Sequence, residues 1–78
     1  MIKIEKNNIL WAQINTSSHV DKVGYNIKEQ TLYIDFLNGD SYKYYNVPSY
    51  KVLALLKSPS VGTYFWQEIR GVYQFEKV

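Results

Sequence analysis

One histidine, His19, follows Ser17 and Ser18, and a hydroxyl beside an imidazole is the least that a nucleophile and its base require. Neighbours in an extended chain point to opposite faces, and no carboxylate stands at a spacing that would orient the ring. His19 is therefore expected on the surface, outside any catalytic pairing. The carboxylates Asp21, Glu29, Asp35, Asp40, Glu68 and Glu76 fall in turns or on polar faces, and no two are placed for acid–base work. Gly24, Gly39, Gly62 and Gly71 form no phosphate loop and read as turn or bulge glycines. The chain has no cysteine, which removes disulfides and thiolate metal sites together. A metal centre would need more ligands than one histidine and scattered carboxylates. The expectation is a protein that binds, with no enzymatic activity, metal or cofactor.

Two clusters carry chemistry suited to binding. Tyr42-Lys43-Tyr44-Tyr45 interleaves aromatics with a cation on a strand, and sheets that bind single-stranded RNA stack bases on such side chains. Tyr64-Phe65-Trp66, followed by Arg70, is the second. On a helix Trp66 and Arg70 are four apart and meet on one face, where a guanidinium stacks on an indole and the pair offers a phosphate and a base contact together. Each has a structural alternative. Tyr42 and Tyr44 would serve equally as core residues, and Arg70 would serve equally to brace backbone carbonyls near Gly71.

The elements that position these clusters are read from periodicity. Val23, Tyr25 and Ile27 alternate, Lys28-Glu29-Gln30 makes a polar turn, and Leu32, Ile34 and Phe36 alternate against Thr31, Tyr33 and Asp35. Asn38-Gly39 is a hairpin signal, and Ser41 to Tyr45 returns. A two-residue loop would put Tyr42 and Tyr44 on the face opposite Leu32, Ile34 and Phe36. A three-residue loop, Leu37-Asn38-Gly39 with Gly39 left-handed, sets Ile34 against Tyr42 and Leu32 against Tyr44. The second register is preferred because it gathers the apolar residues on one face. Val47-Pro48 ends the strand, Asn46 or Ser49 can cap the next element, and Val52, Leu55 and Leu56 predict a helix over 49–57. Ser58-Pro59-Ser60 stops it. Val61, Tyr64, Phe65 and Ile69 predict a second helix, capped by Ser60 or Thr63 and ended by Gly71. Val72 to Phe75 alternates as a final strand. The fold class is α+β: a small antiparallel β-meander with two short helices packed on one face and a C-terminal strand. Residues 1–16, with Ile2, Ile4 and Trp11, read as an N-terminal strand or arm closed by a turn at Thr16-Ser17-Ser18.

Composition sets the limits. Seventy-eight residues make one domain, and eight Tyr, three Phe and two Trp supply the burial that cross-links do not. A domain so small and rich in tyrosine can also bury part of itself against a second copy, so a homodimer is among the expectations. Neither a signal peptide nor a membrane span is visible, and a soluble cytoplasmic protein is expected. The formal charge is only +2, but residues 1–40 hold four lysines and five acids, whereas 41–78 hold five basic residues and two acids. A locally basic second half would attract a phosphate backbone.

The chain resembles the KTSC domain, a module found at the C-terminus of some lysyl-tRNA synthetases and as a stand-alone bacterial or phage protein. The resemblance starts near Ser17-Ser18 and runs through Val23-Gly24-Tyr25, Leu32-x-Ile34-x-Phe36-x-x-Gly39 and the central Tyr42-x-Tyr44. It continues with Val47-Pro48, Gly62-x-Tyr64-Phe65, Ile69-Arg70-Gly71 and Tyr73, so residues 17–78 form the KTSC-like domain and 1–16 lie outside it. It implies an RNA-binding module and brings no catalytic residues. Together these readings point to a non-catalytic module that binds RNA or another phosphate-bearing nucleotide through a basic, aromatic surface. Lys43 and Lys51 supply charge, Tyr45 and Trp66 stack, and Arg70 holds phosphate; Tyr42, Tyr44, Tyr64, Phe65 and Tyr73 belong to the core or to the ligand. The alternatives are a protein-interaction domain, such as a phage-encoded inhibitor of a host protein, and an oligomeric sponge for a small signalling nucleotide.

Overall fold

The hairpin around Asn38-Gly39 orients the aromatic strand. A computed structural model describes residues 2–4, 9–15 and 17–78 of the chain. In it β4 (Thr31–Phe36) and β5 (Ser41–Tyr44) pair with Ile34 opposite Tyr42 and Leu32 opposite Tyr44, the register of the three-residue loop. Phe36 N–H donates to the Asp40 carbonyl at 2.8 Å, and Gly39, at φ +96°, takes the left-handed turn that only glycine adopts without strain. Asn38 Oδ1 accepts from Asp40 N–H and closes the loop.

β1 (Ile2–Ile4), β2 (Ile9–Gln13) and β3 (Val20–Asn26) precede this pair, and β6 (Phe75–Lys77) lies beyond β5. Neighbours pair antiparallel throughout, in chain order. Helices α1 (Ser49–Lys57) and α2 (Val61–Glu68) fill the connection from β5 to β6 and cover one face of the sheet. The expected meander with two helices on one face is thus the fold, extended by two strands at its N-terminal edge. Thr16, read as opening a turn, lies outside the described residues.

The core is the apolar side of the period-two pattern meeting the helical stripes. Val23, Tyr25, Leu32, Ile34 and Tyr44 from the sheet pack against Val52 and Leu55 of α1 and Val61 and Phe65 of α2, with Ile69 beneath. A bulge in β3 between Val20 and Lys22 turns Val20 inward, where it is fully buried. Tyr25 threads its hydroxyl to the Val47 carbonyl at 2.6 Å and pins the link from β5 to α1; burial pushes that hydroxyl above its ordinary pKa. No described helix is long and apolar enough to cross a membrane.

Three local expectations need correction. Ile27 is exposed in a turn and does not continue the apolar alternation, because the Asn26 side chain accepts from Glu29 N–H and ends the strand. Neither Asn46 nor Ser49 caps α1: Pro48 occupies the N-cap position without a side-chain bond, and Asn46 is left-handed at φ +58°. Ser60, in contrast, does cap α2 through Thr63 N–H. The final strand starts at Phe75, because Val72 and Tyr73 N–H both turn back to the Ile69 carbonyl around the left-handed Gly71.

The sheet's other face carries a row that crosses the strands: Trp11, Gly24, Tyr33, Lys43 and Glu76 stand side by side. The Trp11 indole packs against Gly24, where an added Cβ would sit 2.7 Å from it. Gly24→Ala must therefore displace Trp11, at a cost of about 1–3 kcal/mol. A thermal melt should show a fall of several degrees, most of it recovered when Trp11→Ala is added; an unchanged melting temperature would mean that the indole does not rest there.

Candidate functional site: an aromatic cleft beside helix α2

A depression lies where α2 leans over the ends of β4, β5 and β6. It is a cleft of about 380 Å³, within the usual range for small-ligand sites. Its floor is a set of edge-on rings: Phe36 against Tyr42 at 5.9 Å and against Phe65 at 5.5 Å, and Tyr44 against Phe65 at 5.4 Å. Phe75 of β6 stands 5.9 Å from Tyr42 and 5.6 Å from Tyr44, and closes one side. These offset and tilted arrangements are the ones aromatic quadrupoles favour. Tyr42 and Tyr44 are there because of the hairpin register, which turns both toward the helices.

The rim is different in kind. Trp66 and Arg70 stand one helical turn apart, and the Arg70 guanidinium carbon lies 4.1 Å from the indole centroid. The Phe65 carbonyl accepts from both Ile69 and Arg70 N–H, so the end of α2 keeps Arg70 on the side of Trp66 before Gly71, at φ +82°, turns the chain away. Among the described residues the guanidinium has neither a carboxylate nor a carbonyl partner, so it does not brace the chain near Gly71. Trp66 at 62 % and Phe75 at 55 % exposure are large apolar surfaces open to solvent beside it.

His19 completes the rim. Ser17 Oγ accepts from His19 and Val20 N–H, and the His19 carbonyl accepts from Leu37 N–H, so its backbone is held against the end of β4. Its ring is exposed, as expected, and lines the cleft. Burial raises the Tyr44 hydroxyl above its ordinary 10.0, and the Arg70 charge opposes that rise.

The sequence-derived residues do not gather in one place. Trp66 and Arg70 reach the cleft together with Tyr42, Tyr44 and Phe65. Lys43 and Tyr45 lie on the sheet's other face, where Lys43 Nζ is 3.9 Å from Glu76 and 5.6 Å from the Tyr45 ring, and the Tyr45 hydroxyl donates to Glu76. Lys51 bridges α1 to α2 through Glu68 at 2.7 Å, over the ring of half-buried Tyr64; the Glu68 bond holds its ammonium above the ordinary value. Tyr73 packs against the core. The expected basic surface is therefore largely neutralised, because strand pairing and helix packing bring Glu68, Glu76 and Asp40 to Lys51, Lys43 and Lys77. Sequence reasoning passed over His19, Phe36 and Phe75 as site residues. Phe36 and Phe75 carried the signal of alternation, which reads as core until the cleft is seen. Among the described residues no three potential ligands converge as a metal site.

A KTSC-domain family model matches residues 16–73. The chain belongs to the KTSC domain family. The crystal structure of a KTSC domain protein from Yersinia pestis superposes with a TM-score of 0.83 at 25 % identity, over 90 % of this chain and 97 % of that one. A lysine–tRNA ligase of Nostoc punctiforme is 36 % identical over 61 residues, 78 % of this chain. That stretch is only 11 % of the ligase, so the chain corresponds to one small part of it. The Tyr42-x-Tyr44, Gly62-x-Tyr64-Phe65 and Arg70 positions through which the sequence resembles the family supply the floor and rim of the cleft, Tyr64 excepted.

Removing Arg70 should move Tyr44 in a known direction. Without the cation the phenolate loses a stabilising charge, so the Tyr44 pKa rises further in Arg70→Ala, which a tyrosine ring-carbon NMR titration would follow; an unchanged pKa would mean that the Arg70 charge does not reach Tyr44. Tyr44's folded pKa already exceeds its unfolded value. Its contribution to stability is thus present below pH 10.0 and is lost as pH rises through the folded pKa.

Proposed function

We propose that this KTSC domain is a non-catalytic module that binds single-stranded RNA, one unstacked base entering the aromatic cleft and Arg70 holding an adjoining phosphate. The observation that carries this reading is the combination of an aromatic floor with a single unpaired cation on the rim, and no acid lining the cleft among the described residues. Bases stack on aromatic rings at roughly 1–3 kcal/mol each, and a planar guanidinium suits both stacking and bidentate phosphate contact. The relative from Nostoc punctiforme is by name a ligase of lysine to tRNA, a setting in which an accessory RNA contact has a use. Lys43 and Lys51 have smaller parts here than their charges imply, since each already faces a carboxylate.

The exposure of Trp66 and Phe75 beside Arg70 favours a second reading, a protein-interaction domain, because Trp and Arg are over-represented among the residues that dominate protein interfaces. Salt separates the two. Each phosphate contact releases counterions and steepens the salt dependence, whereas an apolar interface is far less sensitive.

Titrating short single-stranded RNA into the protein while monitoring tryptophan emission tests the proposal, with Trp66→Phe separating Trp66 from Trp11. Saturable quenching that weakens with salt is expected. Arg70→Ala should lower affinity about tenfold or more, in line with loss of a charge-assisted contact, and Lys43→Ala and Lys51→Ala should weaken it less. The absence of any response at micromolar RNA would sink the proposal and turn attention to protein partners.

A further inference from the structure

A second cleft, of about 440 Å³, adjoins the first along α2. The two share His19, Gly62 and Trp66. Their linings differ sharply. The first is aromatic, whereas the second is lined mostly by hydroxyl and amide residues, Ser17, Ser18, Ser60, Thr63 and Gln67; the Ser60 and Thr63 hydroxyls bond each other, and Ser17 Oγ accepts from His19 and Val20 N–H. No acid lines either one among the described residues.

Gly62 sits where they meet. It is the second residue of α2, and a glycine costs about 1 kcal/mol relative to alanine in a helix interior and less in the first turn. Nothing in its backbone calls for glycine, since its φ is not left-handed, unlike those of Gly39 and Gly71. Nor would a methyl group clash: a Cβ would stand 3.5 Å from Ser17 Oγ and 3.9 Å from His19 Cδ2, ordinary contact distances. A longer side chain, in contrast, would fill the gap between α2 and the Ser17–His19 segment, and so separate the two clefts.

Taking the proposed RNA-binding reading as its basis, we propose that the two clefts form one groove with Gly62 as its saddle, and that the groove takes two consecutive nucleotides. One base lies among Phe36, Tyr42 and Phe75 with its phosphate at Arg70. The chain crosses Gly62 beside His19, and the next ribose and phosphate meet the hydroxyl-lined cleft. Hydroxyl and amide groups suit a ribose, which both donates and accepts hydrogen bonds. The uncharged lining of the second cleft, together with the lone cation of the first, fits a linear anion better than a compact polyphosphate.

The test compares AMP, ADP and the dinucleotide pApA on the full chain by calorimetry; ADP adds charge without a second nucleoside. The wild-type protein should bind pApA about tenfold more tightly than either mononucleotide. In amide NMR spectra pApA should shift Ser18, Thr63 and Gln67, which AMP leaves in place. Gly62→Leu should lose most of the dinucleotide advantage. Gly62→Ala should keep it and raise the melting temperature. The inference is overturned if pApA binds no better than ADP, if AMP moves the amides of both clefts alike, or if the advantage survives in a folded Gly62→Leu protein. Failure of all three ligands and of longer RNA to bind would overturn the RNA-binding reading as well, whereas equal binding of AMP and pApA would overturn the two-nucleotide groove alone.

Discussion

A left-handed glycine at the tip of one hairpin decides what this domain can present to a ligand. Because side chains alternate across a strand, a loop one residue shorter would carry Tyr42 and Tyr44 to the open face of the sheet and turn Ser41 and Lys43 toward the helices. With Gly39 at φ +96° the loop takes three residues, and both tyrosines meet Phe36, Phe65 and Phe75 under α2. The same register places Lys43 beside Tyr33 on the opposite face, in the row that ends at Glu76. Core, cleft and outer face are thus three consequences of one turn.

The disposition of charge depends on the sheet and helix contacts built on that hairpin. Three of the five basic residues in the second half of the chain face carboxylates: Lys43 with Glu76, Lys51 with Glu68 and Lys77 with Asp40. Exposed pairs of this kind add little stability, typically about 0–1 kcal/mol each. Their larger effect is on the field, since a lysine beside a carboxylate attracts a distant phosphate only weakly. Arg70 keeps its charge available because its near neighbour is a ring, and an indole face attracts a cation without cancelling it.

The cleft is built from residues with structural duties of their own. Tyr44 and Phe65 are buried core residues whose edges form its floor, and the backbone of His19 is tied to the Ser17 hydroxyl and to Leu37 N–H. A site assembled this way is held in place before a ligand arrives, which reduces the ordering cost of binding. Gly62 departs from the pattern, since it weakens the helix that contains it and is explained better by the space it leaves than by any contact it makes.

The fold was legible in the sequence because it rests on short-range rules: alternation in β3 and β4, Asn38-Gly39 at the turn, the stripe of Val52, Leu55 and Leu56, and Ser60 ahead of α2. The family could likewise be read from spaced motifs, and the meeting of Trp66 with Arg70 from helical spacing alone. Where local signals competed, prediction slipped by a few residues, as when Asn26 ended a strand before Ile27 and Gly71 delayed β6. The site was legible only in part. Phe36, Phe75 and His19 come from three distant segments, and their convergence depends on which strands are neighbours. The pairing of the lysines depends on the same long-range contacts, so Lys22, Lys43, Lys51 and Lys77 all end beside carboxylates in a sequence that counts as basic. The sequence by itself determined most of the elements, a preferred register for the hairpin and the family. Only the tertiary structure decided which aromatics share a cleft and which charges remain unpaired, because those depend on distances between segments far apart in the chain.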